Sequence, residues 1–358
     1  MKAKYSFFIL LLIAVLLGCI GEQREGSAIN VSGIGITNFS ASVSSLFSSE
    51  TSEISLVLIN NGDFDAYYVS SLLYNYGVLS IISNETYLDI LPKEQTELFY
   101  WIIKAPSLPE NQKITISPSV KVYYKYFTEA STQVALVPEG YREEVPTSYS
   151  CTKSPIKVSF EVRRPVRVLS DIDTEFTLKI KLKNVGPGGV IFYEDGISDA
   201  AQIISTKVDT YIEEMNITYP SDWELVPTSQ FDPTSLQNDG KIISIGSKKK
   251  IILSYKYFKN KMDSISECIN SLKNGESCNM FSTEEEGYDM LENIMGQMRR
   301  TLKVVRDEEL IIPIKFKVSP DYISSNMAKT EDINVKMKYG YETDALDFEK
   351  AITIKIQG

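Results

Sequence analysis

A strict alternation of apolar and charged residues runs along the chain from Asp173 to Asn184. Its apolar members fall on one side and its lysines on the other: Phe176, Leu178, Ile180 and Leu182 against Lys179, Lys181 and Lys183. A period of two places successive side chains on opposite faces of a β-strand. The segment therefore predicts a strand with one face in a core and the other in solvent, as in an antiparallel sandwich.

The first half of the chain carries the same plan. A strand at 53–59 stops at Asn60-Asn61-Gly62, much as the strand at 173–184 stops at Asn184-Val185-Gly186. The closing segments also correspond: Val120–Tyr126 resembles Val335–Tyr341, with apolar strands expected afterwards at 133–137 and 351–356. We expect a hairpin turn at 128–130 within the first closing segment. Such self-similarity indicates an internal duplication.

These patterns predict a mainly β protein with two antiparallel β-sandwich domains in tandem. We expect the first domain at 28–137, a linker at 138–154 and the second domain at 155–358. The linker assignment depends on Pro138, Gly140 and Pro146, which bracket polar residues.

A strand that ends in Asn-x-Gly and precedes another alternating strand resembles the CARDB-type and related immunoglobulin-like modules of archaeal and bacterial surface proteins. The residues that carry this resemblance are 54–79 and, second, 176–192. The resemblance implies two immunoglobulin-like sandwiches used as spacers or adhesion modules, and it implies no catalytic residues. The second half departs from the pattern because it is longer.

The extra length of the second half predicts an α-helical hairpin insertion at about 260–305. Ser282 or Thr283 can cap its second helix, which carries acidic residues in its first turn and basic residues in its last. One face of that helix is apolar: Leu291, Ile294, Met295, Met298 and Leu302. This face either packs on the sandwich or forms a flexible, methionine-rich groove for a partner, to which Leu291, Ile294, Met295 and Met298 would contribute.

The N-terminus predicts export. Lys2 and Lys4 precede an apolar run that is too short to span a membrane and ends in Leu-Leu-Gly-Cys19. That ending resembles the lipobox of exported lipoproteins, which implies cleavage of a signal peptide at 1–18 and a lipid on Cys19. A tether at 19–27 would then hold the protein on the outer face of the cell membrane, in an extracytoplasmic location.

In an oxidising exterior, Cys268 and Cys278 are expected to form a disulfide across the turn signal at 273–276. Cys151 is left over and is either free or paired with another chain. Four Asn-x-Ser/Thr sequences are candidate glycosylation sites on surface loops: Asn30, Asn38, Asn84 and Asn216.

Catalysis finds little support in the sequence. The chain has no histidine, so histidine-dependent triads and zinc sites are excluded. A hydrolase that uses only carboxylates stays open, because the spacing of such groups is spatial. Calcium is disfavoured, although acidic residues gather at 61–65 and 195–199. Trp223 is read as a core residue in preference to a sugar-stacking one. We expect no cofactor.

Charge limits the partners. Loss of Lys2 and Lys4 with the signal would take the net charge from −10 to −12. This acidity argues against nucleic acid and against binding along an anionic bilayer. We therefore expect a non-enzymatic surface lipoprotein that binds, adheres or scaffolds through a protein partner in the cell envelope. The alternative is an accessory subunit of an envelope, pilus or secretion assembly.

Overall fold

The computed structural model describes residues 32–163, 165–323 and 327–358. The predicted signal peptide, Cys19, the tether and Asn30 lie outside the described residues. In the described part, no helix is both long and apolar enough to cross a membrane.

From residue 32 onwards, the first half of the molecule contains nine strands. They are β1 Ile34–Ala41, β2 Ser45–Phe47, β3 Thr51–Asn60, β4 Ala66–Tyr74, β5 Ser80–Glu85, β6 Tyr87–Leu91, β7 Thr96–Lys104, β8 Lys113–Ile116 and β9 Ser119–Pro138. β3 alternates buried and half-buried residues along its length, as its sequence requires.

The second half, as far as the structure describes it, contains further strands and four α-helices. The strands are β10 Tyr149–Cys151, β11 Ile156–Val162, β12 Val166–Val168, β13 Thr174–Asn184, β14 Gly189–Phe192, β15 Val208–Asp209, β16 Glu214–Pro220, β17 Glu224–Val226, β18 Ile242–Ile245, β19 Lys248–Ser254, β20 Glu309–Val318, β21 Lys329–Asp344 and β22 Ile354–Gln357. The helices are α1 Ala200–Thr206, α2 Pro233–Asn238, α3 Tyr255–Lys273 and α4 Glu284–Leu302, with short 3-10 turns at Pro320–Tyr322 and Ala345–Phe348.

The molecule is mainly β, as predicted, and its strands form several sheets. Two four-stranded sheets have the orders β1-β3-β7-β5 and β11-β13-β20-β17. These orders correspond position by position, which agrees with the duplication read from the sequence. A larger sheet contains eleven strands along the path β18-β19-β16-β21-β9-β4-β6, with β10, β12, β14 and β15 attached.

The larger sheet joins the two halves. β21 pairs antiparallel with β9 along its whole length, from Lys329 opposite Leu136 to Asp344 opposite Lys121. The expected hairpin turn at 128–130 is wrong, because β9 continues through these residues and buries Thr128. β10 lies inside the predicted linker and also pairs with β9. The division into domains at 138–154 stays a prediction.

The last strand also differs from expectation. The segment at 351–356 was expected to close the second half, as 133–137 closes the first. Instead β22 runs parallel to β2 and antiparallel to β8, both of which belong to the first half. Alternation alone fixes which face of a strand is buried, and the partner strand is a non-local choice.

The Asn-x-Gly endings form matching corners in the two halves. The Asn60 side chain accepts from the Gly62 amide and from the Tyr126 hydroxyl, and donates to the carbonyls of Phe64 and Leu91. At the second corner, Asn184 accepts from the Gly186 amide and from the Tyr341 hydroxyl, and donates to the Gly188 carbonyl.

Candidate functional site

Helices α3 and α4 form an antiparallel pair on the second half of the chain. Thr283 and Glu286 make a capping box at the start of α4, with each side chain bonded to the other residue's backbone amide. Three glutamates occupy the first turn of α4 and Arg299 and Arg300 the last, which suits the helix dipole. Cys268 and Cys278 form the predicted disulfide, with their Cα atoms 5.5 Å apart.

The two helices bury their apolar faces against each other and lie against the loop that precedes α2. The buried residues include Phe258, Ile265 and Ile269 from α3, and Ile294, Met298 and Leu302 from α4. The Gln297 amide donates to the Asp232 carbonyl at 2.9 Å, and Arg300 Nε donates to the Gln230 carbonyl at 3.2 Å. These bonds hold α4 against the start of α2.

The four residues predicted to contact a partner divide into two pairs. Ile294 and Met298 are each only 6% exposed, so both pack inside the protein. A 3.6-residue repeat brings them to the face that meets the core, and packing takes precedence over partner access there. Leu291 and Met295 are half-buried and line an open groove of about 500 Å³ beside Arg299. Partner binding stays a prediction for these two residues.

A second groove of about 530 Å³ lies where the start of α3 meets Asp239, Lys241 and the loop between α3 and α4. Its lining combines basic and apolar side chains: Lys241, Lys256 and Lys261 with Tyr257, Ile265, Met280 and Met290. Asp239 bonds to both Tyr257 and Lys261. Burial alone would raise the pKa of Asp239, but the bonds from Lys261 and Tyr257 hold it below its ordinary value.

The sequence patterns described above did not predict this second groove. The signal was present as seven lysines and no acidic residue between 241 and 261, inside a chain of net charge −10. Net charge averages over the whole surface and hides such a local excess. The apolar lining from Met280 and Met290 comes from residues distant in sequence, which no local pattern joins to the lysines.

A buried lysine lies at the middle of the eleven-stranded sheet. Lys125 is fully buried, and its ammonium bonds to the Tyr193 carbonyl and to Glu213, 2.6 Å away. Lys338 bonds to the same Glu213 at 2.7 Å and to Asp195 at 2.5 Å. Burial would raise the pKa of Asp195, but the Lys338 hydrogen bond and the Lys125 charge lower it below its ordinary value.

The acidic residues considered for calcium serve the backbone or the lysines. Asp63 accepts from the Lys153 amide at 2.6 Å, and Asp65 accepts from the Lys93 amide at 3.0 Å. Asp199 caps α1, and Asp195 pairs with lysines. Within the described ranges, no group of three or more acidic, histidine or cysteine side chains could hold a metal ion.

The remaining predicted residues lie apart from the helix pair. Trp223 is buried, as expected, and its ring is 5.1 Å from that of Phe176 and 5.2 Å from that of Phe316. Cys151 is half-buried in β10 and is not in a disulfide. None of the three described sequon asparagines lies in a loop, contrary to expectation. Asn38 and Asn84 are exposed but belong to β1 and β5, and Asn216 lies half-buried in an inner strand, between β19 and β21. Glycosylation stays a prediction at all of them.

Comparison with known proteins gives no family. No protein family and no curated protein matches the chain. Among solved structures, it aligns with native Escherichia coli α2-macroglobulin at 10% identity and a TM-score of 0.19, over 74% of this chain and 13% of that one. The secreted serine protease VesC from Vibrio cholerae aligns at 8% identity and a TM-score of 0.18, over 85% and 50% of the two chains.

A third alignment is with E. coli α2-macroglobulin from domain MG7 to its C-terminus, at 8% identity and a TM-score of 0.19, over 77% of this chain and 36% of that one. The chain thus spans half or less of each of these three proteins. At TM-scores this low, none of the likenesses supports an inference about function.

Proposed function

We propose that the protein is a non-enzymatic binding or scaffolding module, tethered outside the cell by a lipid on Cys19. In this proposal two immunoglobulin-like sandwiches form the scaffold, and α3 and α4 are an insertion that carries recognition. The observation that carries the proposal is a disulfide-closed helix pair, fixed to a β scaffold, with grooves on its accessible sides. Insertions on a rigid scaffold usually carry recognition.

The state of the carboxylates supports a binding role over hydrolysis. A glycosidase-type general acid needs a raised pKa. The carboxyl groups with clear shifts move the other way: lysine hydrogen bonds lower the pKa of Glu161 to about 2, and lysines also lower the pKa of Asp195 and Asp239. Asp195 and Glu213 lie close together, but Lys338 bonds to both of them.

Site-specific photo-crosslinking in intact cells tests the proposal. A photoreactive amino acid replaces Met295 in one strain and Lys104, an exposed residue of the first half, in a control strain. We expect a defined protein adduct from position 295 and none from position 104. A stoichiometric adduct with a subunit of an envelope, pilus or secretion assembly would favour the accessory-subunit role. Identical, diffuse adducts from both positions would count against a binding role for the helix pair.

The tether is tested separately by Cys19→Ala. We expect the unaltered protein in the membrane fraction and labelled by a fatty-acid analogue. The variant should lose the label, because in this proposal residue 19 is the one that carries the lipid. Equal labelling of both proteins would rule out lipidation at Cys19.

A further inference from the structure

The lysines of residues 241–261 are largely without acidic partners. Only Lys261 forms an ion pair with a described residue, Asp239. The other six form none within 4.0 Å among the parts of the chain that the structure describes: Lys241, Lys248, Lys249, Lys250, Lys256 and Lys259. An anionic partner would therefore not compete with an internal ion pair at these six lysines.

Some other lysines of the same protein are paired with acidic residues. On the sheet formed by β11, β13, β20 and β17, Lys179 and Lys181 share Glu161, while Lys315 and Lys317 bond to Glu175 and Glu224. Single lysines elsewhere, such as Lys104 and Lys113, also form no ion pair with any described residue, but the 241–261 segment places six unpaired lysines within 21 residues that contain no acidic residue. This local excess of positive charge suits an acidic partner.

Two of the six unpaired lysines, Lys241 and Lys256, lie beside apolar surface in the second groove. Lys241 and exposed Lys256 line it together with Met280, which is 50% exposed, and half-buried Met290. Buried Ile265 also contributes to the lining. The volume of about 530 Å³ falls in the range of ligand pockets, roughly 300–1,000 Å³. Methionine side chains adapt readily to different apolar groups.

We propose that this groove binds an acidic segment of a protein partner, with carboxylates on Lys241 and Lys256 and an apolar side chain against Met280 and Met290. The inference rests on the proposed binding function and names the chemistry of the partner. Three observations favour a peptide over a bilayer or a nucleic acid. The site is concave, it exposes apolar side chains within the concavity, and ammonium groups of Lys241 and Lys261 lie over the Tyr257 ring, which closes that ring to base stacking.

The proposal is tested by selecting peptides that bind the protein from a random library displayed on phage. Three forms are used as bait: the unaltered protein, the groove variant Lys241→Glu/Lys256→Glu and the matched control Lys104→Glu/Lys113→Glu. Both variants change the net charge equally, and the control sites lie in β7 and β8 of the first half. Thermal melting of each bait establishes that it is folded.

We expect the unaltered protein and the control to enrich peptides with several acidic residues and a leucine, methionine or phenylalanine. The most enriched peptide, labelled with fluorescein, should bind the groove variant with a dissociation constant at least about tenfold higher than that of the unaltered protein. Its dissociation constant for the control should lie within about twofold of that value. Met280→Gln should also weaken binding, and glutamine in place of the acidic peptide residues should abolish it. Binding should fall as salt rises.

Enrichment of neutral or basic peptides, or equal enrichment on the groove variant, would overturn the proposal. Phosphatidylglycerol vesicles that bind the unaltered protein and not the groove variant, with no acidic peptide enriched, would assign the lysines to lipid headgroups and also overturn it. A specific crosslink from position 295 alongside either result would leave the binding function standing without the acidic partner.

Discussion

Two glycines show how a single residue shapes this fold. A Cβ atom on Gly62 would overlap the Tyr126 hydroxyl, and one on Gly186 would overlap the Tyr341 hydroxyl. The asparagine two residues earlier holds each tyrosine hydroxyl in place. The Asn-x-Gly pattern was visible in the sequence, but the tyrosine that completes it lies in a distant strand, so the sequence could not show why glycine is required.

We therefore expect Gly62→Ala and Gly186→Ala each to lower the free energy of unfolding by about 1–3 kcal/mol, the usual cost of overpacking. Urea denaturation measures the change. Gly189→Ala is the matched control, because nothing lies within 4 Å of its added Cβ. Equal stability of all three variants would contradict the packing argument.

The Asp195 carboxylate should make a pH-dependent contribution to stability. Its pKa is lowered in the folded protein, so its ionised form stabilises the fold above the unfolded pKa of about 3.9, and this contribution is lost as the pH falls through the lower folded value. We expect Asp195→Asn to cost about 0.5–1 kcal/mol near neutral pH, since solvent screens this half-exposed group. The difference should shrink as the pH falls below about 4. A difference in the free energy of unfolding between the two proteins that stays constant down to pH 2 would contradict this prediction.

At the scale of elements, the capped helix α4 and the disulfide were predicted because their signals are local. Thr283 precedes three glutamates, and Cys268 and Cys278 are close in sequence. The burial of Ile294 and Met298 was not decided by sequence, because an apolar helical face reads the same whether it meets the core or a partner.

Loss of the disulfide should loosen the end of the helix pair. The bond closes a loop with a sequence separation of 10, for which chain entropy predicts about 2–3 kcal/mol. We expect Cys268→Ser/Cys278→Ser to increase hydrogen exchange at the end of α3 and the start of α4. Reducing agent should have the same effect on the unaltered protein and none on the variant. Phe281 lies between the two helices in the chain and is buried. Unchanged exchange in the variant would show that packing of such residues holds the loop without the bond.

Over the whole molecule, the larger sheet connects the two halves through the pairing of β9 with β21. The sequence predicted strands, alternation and duplication, since these depend on local periodicity. It could not predict that β9 pairs with β21 or that β22 returns to β2 and β8, because strand partners far apart in sequence leave no local mark.

The pairing of β9 with β21 predicts cooperative unfolding. Ile314→Ala removes a fully buried side chain from β20 and should cost about 2–5 kcal/mol. We expect the loss to raise hydrogen exchange in β3 of the first half as well as in β20, because β9 and β21 open together. Mass spectrometry of the exchanged peptides measures both regions. Exchange that rises only in the second half would mean that the halves unfold independently.

One residue pair between β9 and β21 affects whether the first half alone could pair with a copy of itself. Lys125 lies opposite Gly340, and the two residues occupy corresponding positions in the duplication. A Cβ atom on residue 340 would overlap the ring of Tyr193. The backbone carbonyl of Tyr193 accepts a hydrogen bond from Lys125. Two separate first halves that self-associated through β9 in the same register would set Lys125 against Lys125. The Tyr193 carbonyl that accepts from Lys125 and the Glu213 carboxylate that neutralises it would both be missing. The sequence at this position thus favours pairing of β9 with β21 over pairing of β9 with a second copy of itself.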